Sequence, residues 1–156
     1  MITRYEDAKF LLVAGSRKVN PSPRAKAFLN LKGFLERHSA SPRYVIHGNA
    51  KGADQIGGLV RDEYNADCII FDAMWAKFGR SAGYRRNEQM AEFLPPEHSL
   101  ACLFVYADEY MKEQWQNLRQ APTDPRRHRR SRWSKGTTHM YDLCKQRGIR
   151  TKVFYI

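Results

Sequence analysis

The chain has 156 residues and a mass of 18.2 kDa, with 42% hydrophobic, 12% aromatic and 28% charged residues, which suits one domain with a core and excludes two full domains or wholesale disorder. An excess of 27 Lys and Arg over 16 Asp and Glu gives a net charge of +11, a balance that favours anionic partners such as nucleotides or nucleic acid. The longest apolar runs, residues 10–14 and 101–107, fall short of the roughly 20 residues of a membrane helix, and residues 1–7 have no signal-peptide core, so neither a membrane partner nor secretion is expected.

Taken in chain order, residues 9–13 read as a buried strand that empties into the turn Ala14-Gly15-Ser16-Arg17. Residues 23–38 place Ala27, Phe28, Leu31, Phe34 and Leu35 on one helical face. A second strand at 44–46 runs into the glycine-bearing loop 47–54, followed by a helix to about Tyr64 with Ile56, Leu59, Val60 and Tyr64 inward. Residues 68–71 form the third strand. A loop at 79–83 precedes a helix at 84–93, which Pro95-Pro96 terminates. The fourth strand is 100–106. Residues 137–147 make the last helix, with Met140, Leu143 and Cys144 inward and Gly148 as its stop, and 151–155 is the fifth strand. Strands alternating with helices predict a doubly wound α/β fold: a mostly parallel, Rossmann-like sheet of about five strands with helices on both faces, spanning residues 1–156 as one domain.

In such a sheet the ligand crevice lies beyond the carboxyl ends of the strands, and four loops should converge there. Gly15, Ser16 and Arg17 suit phosphate binding by backbone amides and a guanidinium, although Gly-Ser-Arg is also an ordinary turn. Gly48, Asn49, Lys51, Gly52 and Asp54 form either a phosphate or ribose cradle or a helix start whose acid offsets the dipole. Gly136, Thr137 and Thr138 can cap the last helix or bond phosphate. Trp75 can stack on a base or fill a gap between loop and helix. His47 and His139 border these loops and read as structural. The odd cysteine count, Cys68, Cys102 and Cys144, points to reduced thiols in a cytoplasm, and no spacing suggests a metal site.

Four segments carry a resemblance: the strand ending in Gly15-Ser16-Arg17, the loop from Gly48 to Asp54 with its Gly-x-x-x-Gly-Ala-Asp pattern, the stretch from Trp75 to Met90, and Gly136-Thr137-x-x-Met140. Together they resemble the YspA-like subfamily of the SLOG superfamily, small Rossmann-like proteins, over about residues 9–149. The resemblance implies binding of nucleotides or nucleotide-derived ligands in a sensing or sequestering role, with Gly15, Arg17, Gly48, Asp54, Arg86, Asn87, Gly136 and Thr137 as site residues and a homo-oligomer as the assembly. Arg86 and Asn87 are expected at a helix start, where they bind phosphate and sugar or base, or where the asparagine is a cap. No cofactor beyond such a ligand is expected.

Related LOG-type members are phosphoribohydrolases with a glutamate three residues after the Gly-Thr, where this chain has Met140. Methionine moves no proton, so N-glycosidic hydrolysis would need Asp54, Asp72 or Glu88. A further alternative rests on a basic insertion at about residues 108–133. Residues 119–132 hold six arginines and one acid. There Arg126, Arg127, Arg129, Arg130 and Arg132, flanked by Trp115 and Trp133, suit nucleic-acid phosphates and bases, or a polyphosphorylated small ligand.

Overall fold

A computed structural model describes residues 1–17, 21–107 and 131–156. Five parallel strands build the sheet: β1 (Phe10–Gly15), β2 (Tyr44–His47), β3 (Asp67–Ile70), β4 (Ser99–Ala107) and, last in the chain, β6 (Arg150–Tyr155), in the order β3-β2-β1-β4-β6. Between β4 and β6 in sequence, β5 (Ser131–Arg132) adds a short antiparallel pairing to Tyr106 and Ala107. The helices are α1 (Pro21–Arg37), α2 (Ile56–Tyr64), the short α3 (Trp75–Phe78), α4 (Ala82–Phe93) and α5 (Lys135–Gln146). This is the doubly wound, Rossmann-like α/β arrangement.

Strand residues alternate between two buried layers, as the two-residue period requires. Leu11, Val13, Leu100, Cys102 and Phe104 pack with Ala27, Leu31 and Leu35 of α1 and with Ile56 and Val60 of α2. Leu12, Ala14, Ala101 and Leu103 pack on the opposite face with Met90 and Ala91 of α4 and with Met140 and Cys144 of α5. Strands buried on both sides explain why β1 and β4 read as unbroken apolar runs.

Four details depart from the sequence reading. Residues 75–78, to which the sequence assigned no element, form a helical turn, and α4 begins at Ala82 rather than at residue 84, so Arg86 and Asn87 occupy its second turn and cap nothing. The last helix begins at Lys135, capped by Ser134 rather than by Thr137 or Thr138. Leu59 is 38% exposed. The inward position beside it belongs to Gly57, whose missing side chain lets α2 sit against the His47 ring: a Cβ there would stand 2.7 Å from His47 Cδ2.

Candidate functional site

The strand order makes the chain wind outward from β1 to β3 and then return to the other side of β1, so the topological switch point lies between β1 and β4. There the backbone is close-packed. Gly15 has φ +147°, and a Cβ on it would fall 2.1 Å from the Phe104 carbonyl oxygen. The next residue, Ser16, donates its N–H to that same carbonyl at 2.8 Å. Gly52, at φ +82°, presses the following loop onto this turn, since its Cβ would meet the Ser16 oxygen at 2.4 Å, and Ala53 N–H donates to that oxygen at 3.0 Å. Only glycine fits either position.

Asp54 organises the loop from within. One carboxyl oxygen, Oδ2, accepts from the backbone N–H groups of Gly48 and Ala50, each at 3.1 Å. Burial raises this carboxyl from 3.8 to about 6, against the pull of those two N–H groups and of the Arg86 and Arg17 charges. His47 is structural: its Nδ1 accepts from Asn49 N–H at 3.0 Å, and burial, helped by Arg61, lowers its pKa, so the ring stays neutral.

Two adjoining cavities open at this edge. The larger, about 510 Å³, is lined by Gly15, Ser16, Arg17, Asp54, Arg86, Asn87, Gly136 and Thr137, together with Ala14, Ala50, Trp133 and Ser134. The smaller, about 410 Å³, shares Arg17, Ala50 and Arg86 and adds Gly48, Asn49, Lys51, Asp72, Ala73 and Trp75. Both guanidiniums therefore stand where the cavities meet. Arg17 lies 5.6 Å from the centre of the Trp75 ring. Arg86 donates through Nη1 to the Gly48 carbonyl at 3.1 Å, while its buried Nε has no hydrogen-bond partner among the described residues. Burial, reinforced by Arg17, lowers the Arg86 pKa against the opposing charges of Asp54 and Asp72.

The start of α5 forms the far wall. Ser134 Oγ accepts from Thr137 N–H at 3.1 Å and meets Thr137 Oγ1 at 2.8 Å, whereas the N–H groups of Lys135 and Gly136 have no acceptor within the helix, as in any first turn. Nothing lies within 4 Å of a Cβ built on Gly136. Asn87 reaches across from α4, donating through Nδ2 to the Gly136 carbonyl at 3.2 Å with His139 Nδ1 at 3.3 Å. Trp133, just before the cap, holds its indole Nε1 buried, without a hydrogen-bond partner among the described residues.

Of the residues expected at the site, Gly52 lies behind the cavity walls as packing, and Thr138 faces a shallow depression with Tyr84, Trp133 and His139. Glu88 is exposed on α4 and lines neither cavity. Asp72 is exposed at the rim of the smaller cavity and accepts from Asn49 Nδ2 at 3.4 Å. Met140 is buried in the core beneath α5. Arg126, Arg127, Arg129 and Arg130 lie outside the described residues, and Arg132 stands on β5. Trp133 and Ser134 also line the larger cavity, Ser134 at the head of a loop expected at this edge and Trp133 expected only beside the arginines. The serine had a legible signal, a hydroxyl directly ahead of a helical pattern; the tryptophan had none beyond its type.

Among the described residues no group of three or more His, Cys, Asp or Glu side chains is placed to hold a metal, no helix is long and apolar enough to cross a membrane, and all three cysteines are free thiols. The arrangement is thus a crevice with two guanidiniums at the switch point of a Rossmann-like sheet. No family model, curated protein or solved structure matches the chain.

Proposed function

We propose that this protein binds a nucleotide or nucleotide-derived phosphate ester in the paired cavities, as a sensor or sequestering protein. The observation that carries the reading is the pair of guanidiniums, Arg17 and Arg86, where the two cavities meet, beside the start of α5. A phosphate set between Arg17 and Arg86 also meets the partial positive charge of the α5 N-terminus. A base stacks on Trp75, which is half exposed, and a ribose meets Asn49 and Asp72 in the smaller cavity. Membership of the YspA-like SLOG proteins, cytoplasmic residence and homo-oligomerisation belong to the same proposal.

The test is to release small molecules from the purified protein by heat and identify them by mass spectrometry, with calorimetric titration of ADP beside it. A nucleotide derivative recovered from the wild type and lost in Arg17→Ala supports the reading. A wild-type protein that yields none and gives no heat with ADP sinks it.

A second reading, N-glycosidic hydrolysis, is favoured by one observation: the Asp54 carboxyl lines the cavity with a pKa raised to about 6, suited to proton transfer near neutrality. Release of free base from a nucleoside monophosphate, abolished by Asp54→Asn, is its expected sign.

A further inference from the structure

Two strands along the sheet from β1, α1 overhangs the outer edge at β6 and leaves a second groove, of about 570 Å³, that shares no lining residue with the crevice. The bond from Ile156 N–H to the Val105 carbonyl sets the alternation of the β4–β6 ladder. Lys152 and Phe154 turn their peptide groups to β4, while Thr151 and Val153 turn theirs to the open edge. Among the described residues no strand pairs with that edge.

The side chains of the groove wall carry one sign of charge. Lys26, Arg37 and Lys152 line it with no carboxylate side chain among the lining residues, and within the described residues none of the three has an ion-pair partner. Lys152 Nζ lies 5.3 Å from the Phe34 ring centre and 5.8 Å from that of Phe154, so the charge sits over an apolar floor. Leu29, 62% exposed, forms the apolar lip on α1.

We infer that this groove docks an extended acidic segment of a partner protein, which adds to the sheet as a strand beside β6. An added strand runs about 4.8 Å from β6, where its backbone pairs with Thr151 and Val153. Its alternate side chains then face α1, apolar ones toward Leu29 and Phe34 and carboxylates toward Lys26, Arg37 and Lys152. A second copy of this chain is the poorer occupant. Each copy carries a net +11, and edge-to-edge pairing would set two such cationic grooves against each other.

The test uses the full chain and a synthetic peptide of alternating valine and glutamate, read by backbone amide exchange. The expected result is slowed exchange at Thr151 and Val153, and binding weakened by about tenfold or more in Arg37→Glu/Lys152→Glu. Should that pair of changes unfold the protein, Lys26→Glu is the substitute. Val153→Pro, which removes an outward N–H along with a partly buried side chain, is expected to abolish binding in a protein whose melting curve shows it still folded. Equal protection by the lysine counterpart of the peptide overturns the inference, as does peptide binding without protection of Thr151 and Val153. Protection of both amides without peptide, in a particle with the mass of two chains, overturns it in favour of a dimer.

Discussion

Burial holds the Asp54 carboxyl at about 6 although two N–H groups and two guanidiniums favour its charged form. Because the unfolded value is 3.8, the native state binds more protons than the unfolded state between about pH 4 and pH 6. This group therefore costs the fold stability as pH rises through that window, and the cost is complete above it. Asp54→Asn keeps an oxygen for the Gly48 and Ala50 N–H groups, so its unfolding midpoint should rise at pH 7 and its pH dependence should flatten across the window. Thermal melts at several pH values check this; a lower midpoint at pH 7 would mean that the charge itself holds the loop. A second residue-scale prediction separates packing from binding. Gly15→Ala drives a Cβ into the Phe104 carbonyl at a positive φ and should cost about 2–4 kcal/mol in denaturant unfolding. Gly136→Leu meets open space, so the fold should survive while the side chain fills the cavity and ADP binding is lost.

At the scale of elements, α5 reaches the site through its cap and through Asn87. Ser134→Ala removes the acceptor for Thr137 N–H and should lower stability by about 1 kcal/mol. It should also weaken ADP binding, because the unpaired N–H groups of Lys135 and Gly136 lose their fixed direction; unfolding midpoints and titrations on one preparation measure both. The faces of α1 and α5 were legible because apolar spacing at a 3.6-residue period survives in any context. That the turn at Gly15 and the loop at Gly48 share an edge was equally legible, since parallel strands send their carboxyl ends the same way. What spacing does not carry is contact between distant segments. The role of Gly15 depends on Phe104, that of Gly48 on the Arg86 guanidinium beside it, and that of Gly57 on the His47 ring. Glu88 was a candidate only for the hydrolase alternative and Asn87 for ligand binding, and one helical step separates an exposed carboxylate from a buried amide.

For the whole molecule the relevant quantity is the field, and its source is uneven. Residues 119–132 supply a large part of the net +11. A field of this sign would raise the encounter rate of the proposed anionic ligand and is screened by salt, whereas contacts of that ligand with Arg17 or Arg86 would act at short range and be screened much less. Replacing Arg126, Arg127, Arg129 and Arg130 by glutamine distinguishes the two contributions. If these arginines act only through the field, the association rate of ADP measured by stopped flow should fall in low salt and match the wild type in high salt, with the dissociation rate unchanged. If they grip nucleic acid, the wild type should instead retain single-stranded DNA on a column at low ionic strength, with a steep salt dependence that the four substitutions flatten. Faster ADP dissociation from the substituted protein at high salt would make them part of the ligand site. Each outcome assigns the basic stretch one role, because long-range steering, backbone neutralisation and direct contact differ in which rate constant they change and in how salt changes it.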